Sequence, residues 1–172
     1  MLNWVKNRIE FECKDKKVLE DFINSISTKG EIDFNKIIPE PKTKKDCNPK
    51  YILKPDANIE PNPDKPWLNW YEWNCDNWGC KWNSCYAKTT GNVITFDTPW
   101  SPPEPIIDKL AKMCMPLGIN FEFLWAEEQL TQYGGFARLN GNDYYSCQYE
   151  SYSDDLKDVC KELWGYSWED FN

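Results

Sequence analysis

Cys75, Cys80 and Cys85 recur at five-residue intervals, and closely spaced thiols are the raw material of zinc sites and thiol chemistry. A structural zinc site normally repeats a tight pair of ligands or completes one with histidine. A fourth ligand could be Cys47 or Cys147, but there is no second tight pair and the chain contains no His at all. These cysteines are therefore expected to pack as small hydrophobes, and a zinc- or thiol-dependent protein using Cys75, Cys80 and Cys85 is a rival reading. The absence of His also removes the commonest general base and the Ser–His and Cys–His nucleophile pairs. The remaining acid/base candidates are carboxylates: Glu127-Glu128, and Asp154, Asp155, Asp158 and Glu162 near the C-terminus. Most such groups are solvated faces. Asp154 and Asp155 fall in the first turn of an expected helix, where the positive end of the macrodipole favours them. No Gly-rich phosphate loop of either common pattern occurs. The expectation is a protein that is not an enzyme and has no cofactor or metal.

Two groups remain for binding. Asp154, Asp155, Asp158 and Glu162, continued by Glu169 and Asp170, form a negative stripe that could imitate a phosphate backbone toward a nucleic-acid-binding protein. Trp78-Gly79-Cys80-Lys81-Trp82 places broad rings about a glycine. It reads either as a core motif or as an aromatic surface on which Trp78, Lys81 and Trp82 anchor a partner, sugar or base.

Elements must position these groups within 172 residues, enough for one domain. Apolar residues make up 41% and charged residues 28%, which suits a conventional core and excludes wholesale disorder. Mean hydropathy is −0.75, so burial must come largely from big rings, including 10 Trp. The net charge of −8 disfavours direct nucleic-acid binding. It is unevenly spread: residues 1–54 carry 12 basic and 9 acidic groups, whereas residues 143–172 carry 2 and 8. No stretch is long and apolar enough to span a membrane, and the N-terminus lacks the apolar core of a secretory signal, so a cytoplasmic location is expected.

Period-two alternation predicts a strand over 2–13, irregular near Val5. Leu19, Phe22, Ile23 and Ile26 predict a helix capped by Asp15 and closed by Lys29-Gly30. Ile32 to Ile38 reads as a short strand. Residues 39–66 form an ordered but irregular Pro-rich insertion. Residues 67–88 read as a helix followed by an alternating strand at Trp78, Cys80 and Trp82. A strand at 93–97 leads to a helix through Pro116, whose start, Ser101-Pro102-Pro103-Glu104, has the pattern of a capping box. A strand through Ile119, Phe121, Phe123 and Trp125 follows, then a hairpin turning at Asn140-Gly141. The last helix, 153–164, is capped by Ser153 and closed by Gly165. This order fits an α+β, ferredoxin-like split βαβ domain over 1–172: an antiparallel or mixed sheet with helices on one face, the insertion, and the acidic C-terminal helix.

Three segments carry a more specific signal: Phe34 to Pro41 (FNKIIPEP), Asn77 to Asn83 (NWGCKWN) and Phe96 to Pro105 (FDTPWSPPEP). In this order they resemble the YubB-type ferredoxin-like family of phage and plasmid proteins. The resemblance implies that fold and carriage by a mobile element, and implies no reaction. Cys80 stands where that family usually has a small Thr-like residue. Together these readings lead to an expected function: a non-enzymatic, phage-type accessory protein that binds and inhibits a host protein, such as a defence nuclease or nucleic-acid-handling complex. The alternative is a small-molecule, glycan or nucleotide-binding module built on Trp and Tyr faces.

Overall fold

The structure is a computed structural model that describes residues 3–129 and 133–171, the side chains of 169 and 171 excepted. The expected strand start at Leu2 and the Glu169 carboxylate therefore fall outside the described residues. Strand β1 (Trp4–Glu12) is followed by α1 (Lys16–Ser25), a two-residue hairpin of β2 (Ser27–Thr28) and β3 (Glu31–Ile32), and α2 (Phe34–Ile37). After irregular chain come α3 (Trp70–Trp78), β4 (Cys85–Thr90), β5 (Val93–Pro99) and α4 (Glu104–Cys114). The chain continues through β6 (Asn120–Glu127), β7 (Gly134–Asn140), β8 (Asp143–Gln148) and α5 (Asp154–Trp164).

The main sheet has six strands in the order β4-β5-β1-β6-β7-β8, every neighbouring pair antiparallel. Strands β1 and β4 run parallel with β5 between them, and β5 and β6 run parallel with β1 between them. These are the two split βαβ units of a ferredoxin-like domain, with α1 and α4 in the crossovers. The β7–β8 hairpin extends the sheet beyond β6. The long excursion from Ile26 to Ser84 lies within the first crossover. No helix among the described residues is long and apolar enough to cross a membrane.

Alternation divides each strand between two faces. Ile9 and Phe11, Ile94 and Phe96, and Phe121 and Phe123 are buried on the face that also packs Phe22, Ile26, Ile106 and Leu110 from α1 and α4. Each fully buried large apolar side chain stabilises the fold by about 1.5–3 kcal/mol. Helices α2 and α3 join this side: Phe34 packs edge-on against both Phe96 and Trp78 at centroid distances of 5.7 and 5.8 Å. Helix α5 takes the opposite face, where Leu156, Val159 and Cys160 cover Leu124 and Ala126.

Several local expectations are corrected. Strand β1 stays in register from Trp4 to Glu10 against β5, with no irregularity at Val5. The apparent phase break arises because a polar residue, Asn7, takes an inward position. Its amide nitrogen donates to Val5 O (2.9 Å), Phe96 O (3.3 Å) and Thr98 Oγ1 (3.0 Å), which offsets the burial of that group, while Oδ1 has no partner among the described residues. Lys29-Gly30, both with positive φ, turns the β2–β3 hairpin and does not close α1. Residues 34–37 are helical because Asp33 caps them, its carboxylate accepting from Asn35 N. The alternation of Trp78, Cys80 and Trp82 is not a strand: Gly79, at φ 82°, ends α3 and starts a loop. Ser101 is not a helix cap. Pro103 occupies the cap position of α4, and Ser101 Oγ donates to Gly79 O at 2.6 Å.

Candidate functional site

The Trp-Gly loop and the start of α4 are built as one joint. A Cβ at position 79 would lie 2.7 Å from Pro105 Cδ, so only glycine lets these segments meet, and the positive φ imposes the same choice. On the inner side, Trp78 is 2% exposed, donates its indole N–H to Ile38 O at 2.8 Å and stacks edge-on with Trp73. Trp78 is a core residue and presents no surface to a partner. Cys80 beside it is buried as well.

Lys81 and Trp82 lie nearer the surface. Lys81 Nζ sits 4.7 Å from the Trp82 ring centroid and 5.9 Å from that of Tyr71, a cation–π arrangement. Trp82 approaches Trp4 at 6.5 Å, and Trp4 meets Tyr86 at 5.5 Å. Tyr86 is 78% exposed and has φ 52°, at the irregularity between Cys85 and Lys88 in the β4–β5 pairing. The motif thus divides into a buried half, Trp78 and Cys80, and a surface half, Lys81 and Trp82.

Burial is the main influence pushing the Cys75, Cys80 and Cys85 thiols up, which favours the protonated form over the thiolate that binds metal or attacks. Cys80 Sγ donates to Trp82 O and Cys85 Sγ to Asn83 O. Among the described residues no three His, Cys, Asp or Glu side chains are gathered to hold a metal ion.

On α5, Asp154, Asp155, Asp158 and Glu162 are all exposed. They do not form an unbroken negative stripe. Lys157 and Lys161 are interleaved, and Glu162 Oε1 lies 3.4 Å from Arg8 Nη1 of β1. Lys6 Nζ, on the same sheet face, sits 4.8 Å from the Trp164 ring. The free carboxylates concentrate in the first turn and a half of the helix.

A cleft at one end of the sheet is the feature that reading the sequence passed over. It encloses about 440 Å³ and is lined by Val5, Gly79, Trp100 to Pro102, Glu104, Pro105, Trp125, Glu127, Tyr133 and Gln148. It lies where the Trp-Gly loop meets the segment following β5. Trp100 is 54% exposed with φ 69°, a conformation that costs a non-glycine residue about 1–2 kcal/mol. Asn3 ties the cleft together: its carbonyl accepts from Trp100 N and its amide donates to Glu127 Oε1, both at 2.9 Å. Glu127 N in turn donates to Tyr133 O at 2.9 Å. Glu127 is 9% exposed, and its carboxylate is held at the cleft by the Asn3 amide. Its neighbour Glu128 is also engaged, Oε2 accepting from Trp4 N at 3.2 Å. A depression of about 160 Å³ shares Glu104, Trp125 and Gln148 with the cleft and continues it along α4 to Asp108, which accepts from Tyr144 Oη at 2.7 Å. A larger groove, about 650 Å³ between α1 and the β4–β5 turn, contains no residue of Asn77 to Asn83 or Phe96 to Pro105. The signal that could have located the cleft is Trp100 followed by three residues that include two prolines, an unfavourable place to hide a large ring.

A family profile described as the ferredoxin-like domain in Api92-like protein matches residues 77–168. The match begins one residue before Trp78 and takes in the Trp-Gly loop, Phe96 to Pro105 and α5, while Phe34 to Pro41 and the insertion over 39–66 lie outside it. No curated protein and no solved structure matches the chain. The profile covers more than half of the 172 residues, and the observed strand order is the one such a domain requires; the chain belongs to the family of ferredoxin-like domains found in Api92-like proteins.

Proposed function

We propose that this protein acts by binding another protein without catalysing a reaction. The observation that carries the reading is the concentration of exposed aromatic rings at one end of the sheet. Trp100 and Tyr133, the latter 50% exposed, stand at the cleft, and Tyr86 projects from β4. Large rings left in water are a cost unless something covers them, and Trp and Tyr dominate the residues that anchor protein interfaces. Lys81 and Trp82 extend the aromatic surface, and Asp154, Asp155 and Asp158 add a charged face that attracts a basic partner.

The resemblance to the YubB-type family supports carriage by a phage or plasmid. On that reading the partner is a host protein, and the acidic face occupies a groove that would otherwise take nucleic acid. Inhibition is then steric and electrostatic. A free small ligand is the second reading, favoured by the concavity of the cleft. Nucleotides fit it poorly, because Glu104 and Glu127 line the cleft and no Lys or Arg does.

The test is affinity capture from host lysate with the full chain, beside Trp100→Ala and the triple variant Asp154→Asn, Asp155→Asn, Asp158→Asn. Recovery of one stable partner by wild type, weakened by either variant, supports the reading. Failure to recover any partner, with host defence unchanged on expression, removes it. A tryptophan-fluorescence response to glycans without partner capture would favour the second reading.

A further inference from the structure

We infer that the cleft at the end of the sheet is a receptor for an arginine side chain of the partner protein. The inference rests on the partner-binding reading and names the group that this site takes. Three independent observations converge on a planar cation. First, the cleft has aromatic walls: Trp100, Trp125 and Tyr133 line it, and Trp100 is held half-exposed at a left-handed φ of 69°. Strain of this kind at an exposed ring is characteristic of a recognition position. Second, among the described residues the cleft has negative groups and no Lys or Arg. Glu127 and Glu104 line it, Asp108 lies at its continuation, and neither section contains a Lys or Arg.

Third, Glu127 itself is incompletely paired. The residue is 9% exposed, and Oε1 accepts from the Asn3 amide. Among the described residues, no hydrogen bond reaches Oε2 and no Lys or Arg lies within ion-pair distance of either oxygen. A carboxylate oxygen with no protein partner at the wall of a cleft is a ready acceptor for the N–H groups of an entering cation. Guanidinium suits this lining better than ammonium. Its planar face stacks on indole and phenol rings, and its fork of N–H groups matches a carboxylate edge. A volume of about 440 Å³ admits such a side chain with part of its backbone.

The experiment titrates the full chain with the blocked tripeptide acetyl-Gly-Arg-Gly-amide, following tryptophan fluorescence. Parallel titrations use the peptides carrying citrulline or lysine in place of arginine. Citrulline keeps the shape and removes the charge. The expected result is saturable binding of the arginine peptide, with citrulline at least about tenfold weaker and lysine intermediate. Glu127→Gln lowers arginine affinity by about tenfold, Trp100→Ala lowers it by a similar factor, and Asp21→Asn on α1 leaves it unchanged.

Equal binding of arginine and citrulline would overturn the inference. So would Glu127→Gln with wild-type affinity and a wild-type unfolding midpoint, or a response only to glycans. Should Glu127→Gln fail to fold, the exposed Trp100→Ala decides alone. The peptide titration is separate from partner capture. A partner retained by both cleft variants, with no arginine binding, sinks the cleft assignment and leaves the partner reading standing. Arginine selectivity without any captured partner supports the cleft chemistry and removes the partner.

Discussion

Trp78 and Trp100 stand on opposite sides of the same joint and do opposite things. Trp78 is enclosed by Phe34 and Trp73, with its indole N–H satisfied by Ile38 O. Trp100 is more than half exposed, and its backbone adopts a conformation it would not choose. Between them Gly79 packs on Pro105 and accepts a hydrogen bond from Ser101. One tryptophan contributes to stability and the other is kept available at a cost to stability. Richness in Trp therefore does not by itself mark a binding surface. What separates the two is whether the backbone on either side turns the ring into the core or out of it.

Stability measurements test that division most sharply. Trp78→Ala is expected to lower unfolding free energy by about 3–5 kcal/mol, read from urea denaturation, because it opens a cavity and orphans Ile38 O. A loss below about 1 kcal/mol would mean that Trp78 is not part of the core. Gly79→Ala comes next. It places a methyl against Pro105 at a positive φ, and a cost of about 1–3 kcal/mol is expected, with arginine-peptide binding weakened because the cleft wall shifts.

Asp33 gives a smaller effect with a pH signature. Burial pushes its carboxyl up, but hydrogen bonds from Thr28, Asn83 and the Asn35 backbone outweigh burial and hold it below the usual carboxylate value. A depressed carboxyl contributes stability that is complete above the unfolded value of about 4 and is lost as pH falls through the folded value. Asp33→Ala should therefore cost about 1 kcal/mol at neutral pH, chiefly through the lost cap of α2. The gap from wild type should narrow as the pH is lowered below about 4. A gap that widens in acid would contradict the hydrogen-bond assignment.

Trp100→Gly is expected to keep stability within about 1 kcal/mol of wild type, since relief of backbone strain offsets the entropy of the added glycine. The same variant should lose the response to the arginine peptide. Together with Trp78→Ala it forms a crossed pair, one variant changing stability and the other changing binding. If Trp100→Gly proved as destabilising as Trp78→Ala, the contrast between the two rings would collapse.

Asp97 refines the picture on the opposite sheet face. Burial raises its carboxyl pKa, with Lys6 opposing and Glu128 adding to the rise. A raised carboxyl penalises the folded state once pH exceeds the unfolded value, so Asp97→Asn should stabilise the protein modestly at pH 7. That gain should vanish below about pH 4, where Asp97 is protonated in both states. A gain that persists in acid would point to packing instead of charge.

Much of the fold was legible in the chain because it depends on local periodicity. Alternation at Phe121, Phe123 and Trp125, the i, i+3, i+4 spacing around Leu156, and caps at Asp15 and Ser153 all reflect interactions between residues close in sequence. Where local pattern misled, a distant contact had decided. The buried Asn7 broke the apparent alternation of β1 because its partners lie on β5, and Ser101 was lost to its own helix because Gly79 competes for its hydroxyl.

The amino-acid order by itself determined β1, β5, β6, the β7–β8 hairpin, the amphipathic faces of the long helices and the exclusion of histidine chemistry, since each depends on residue type and spacing along one segment. Only the tertiary structure decided which tryptophan is core and which is rim, that Glu162 of α5 pairs with Arg8, and that Glu127 lies beside an aromatic cleft. Those properties belong to pairs of segments up to 124 positions apart, as with Asn3 and Glu127. Burial and electrostatic environment are set by what folds against a residue, and no window along the chain contains that information.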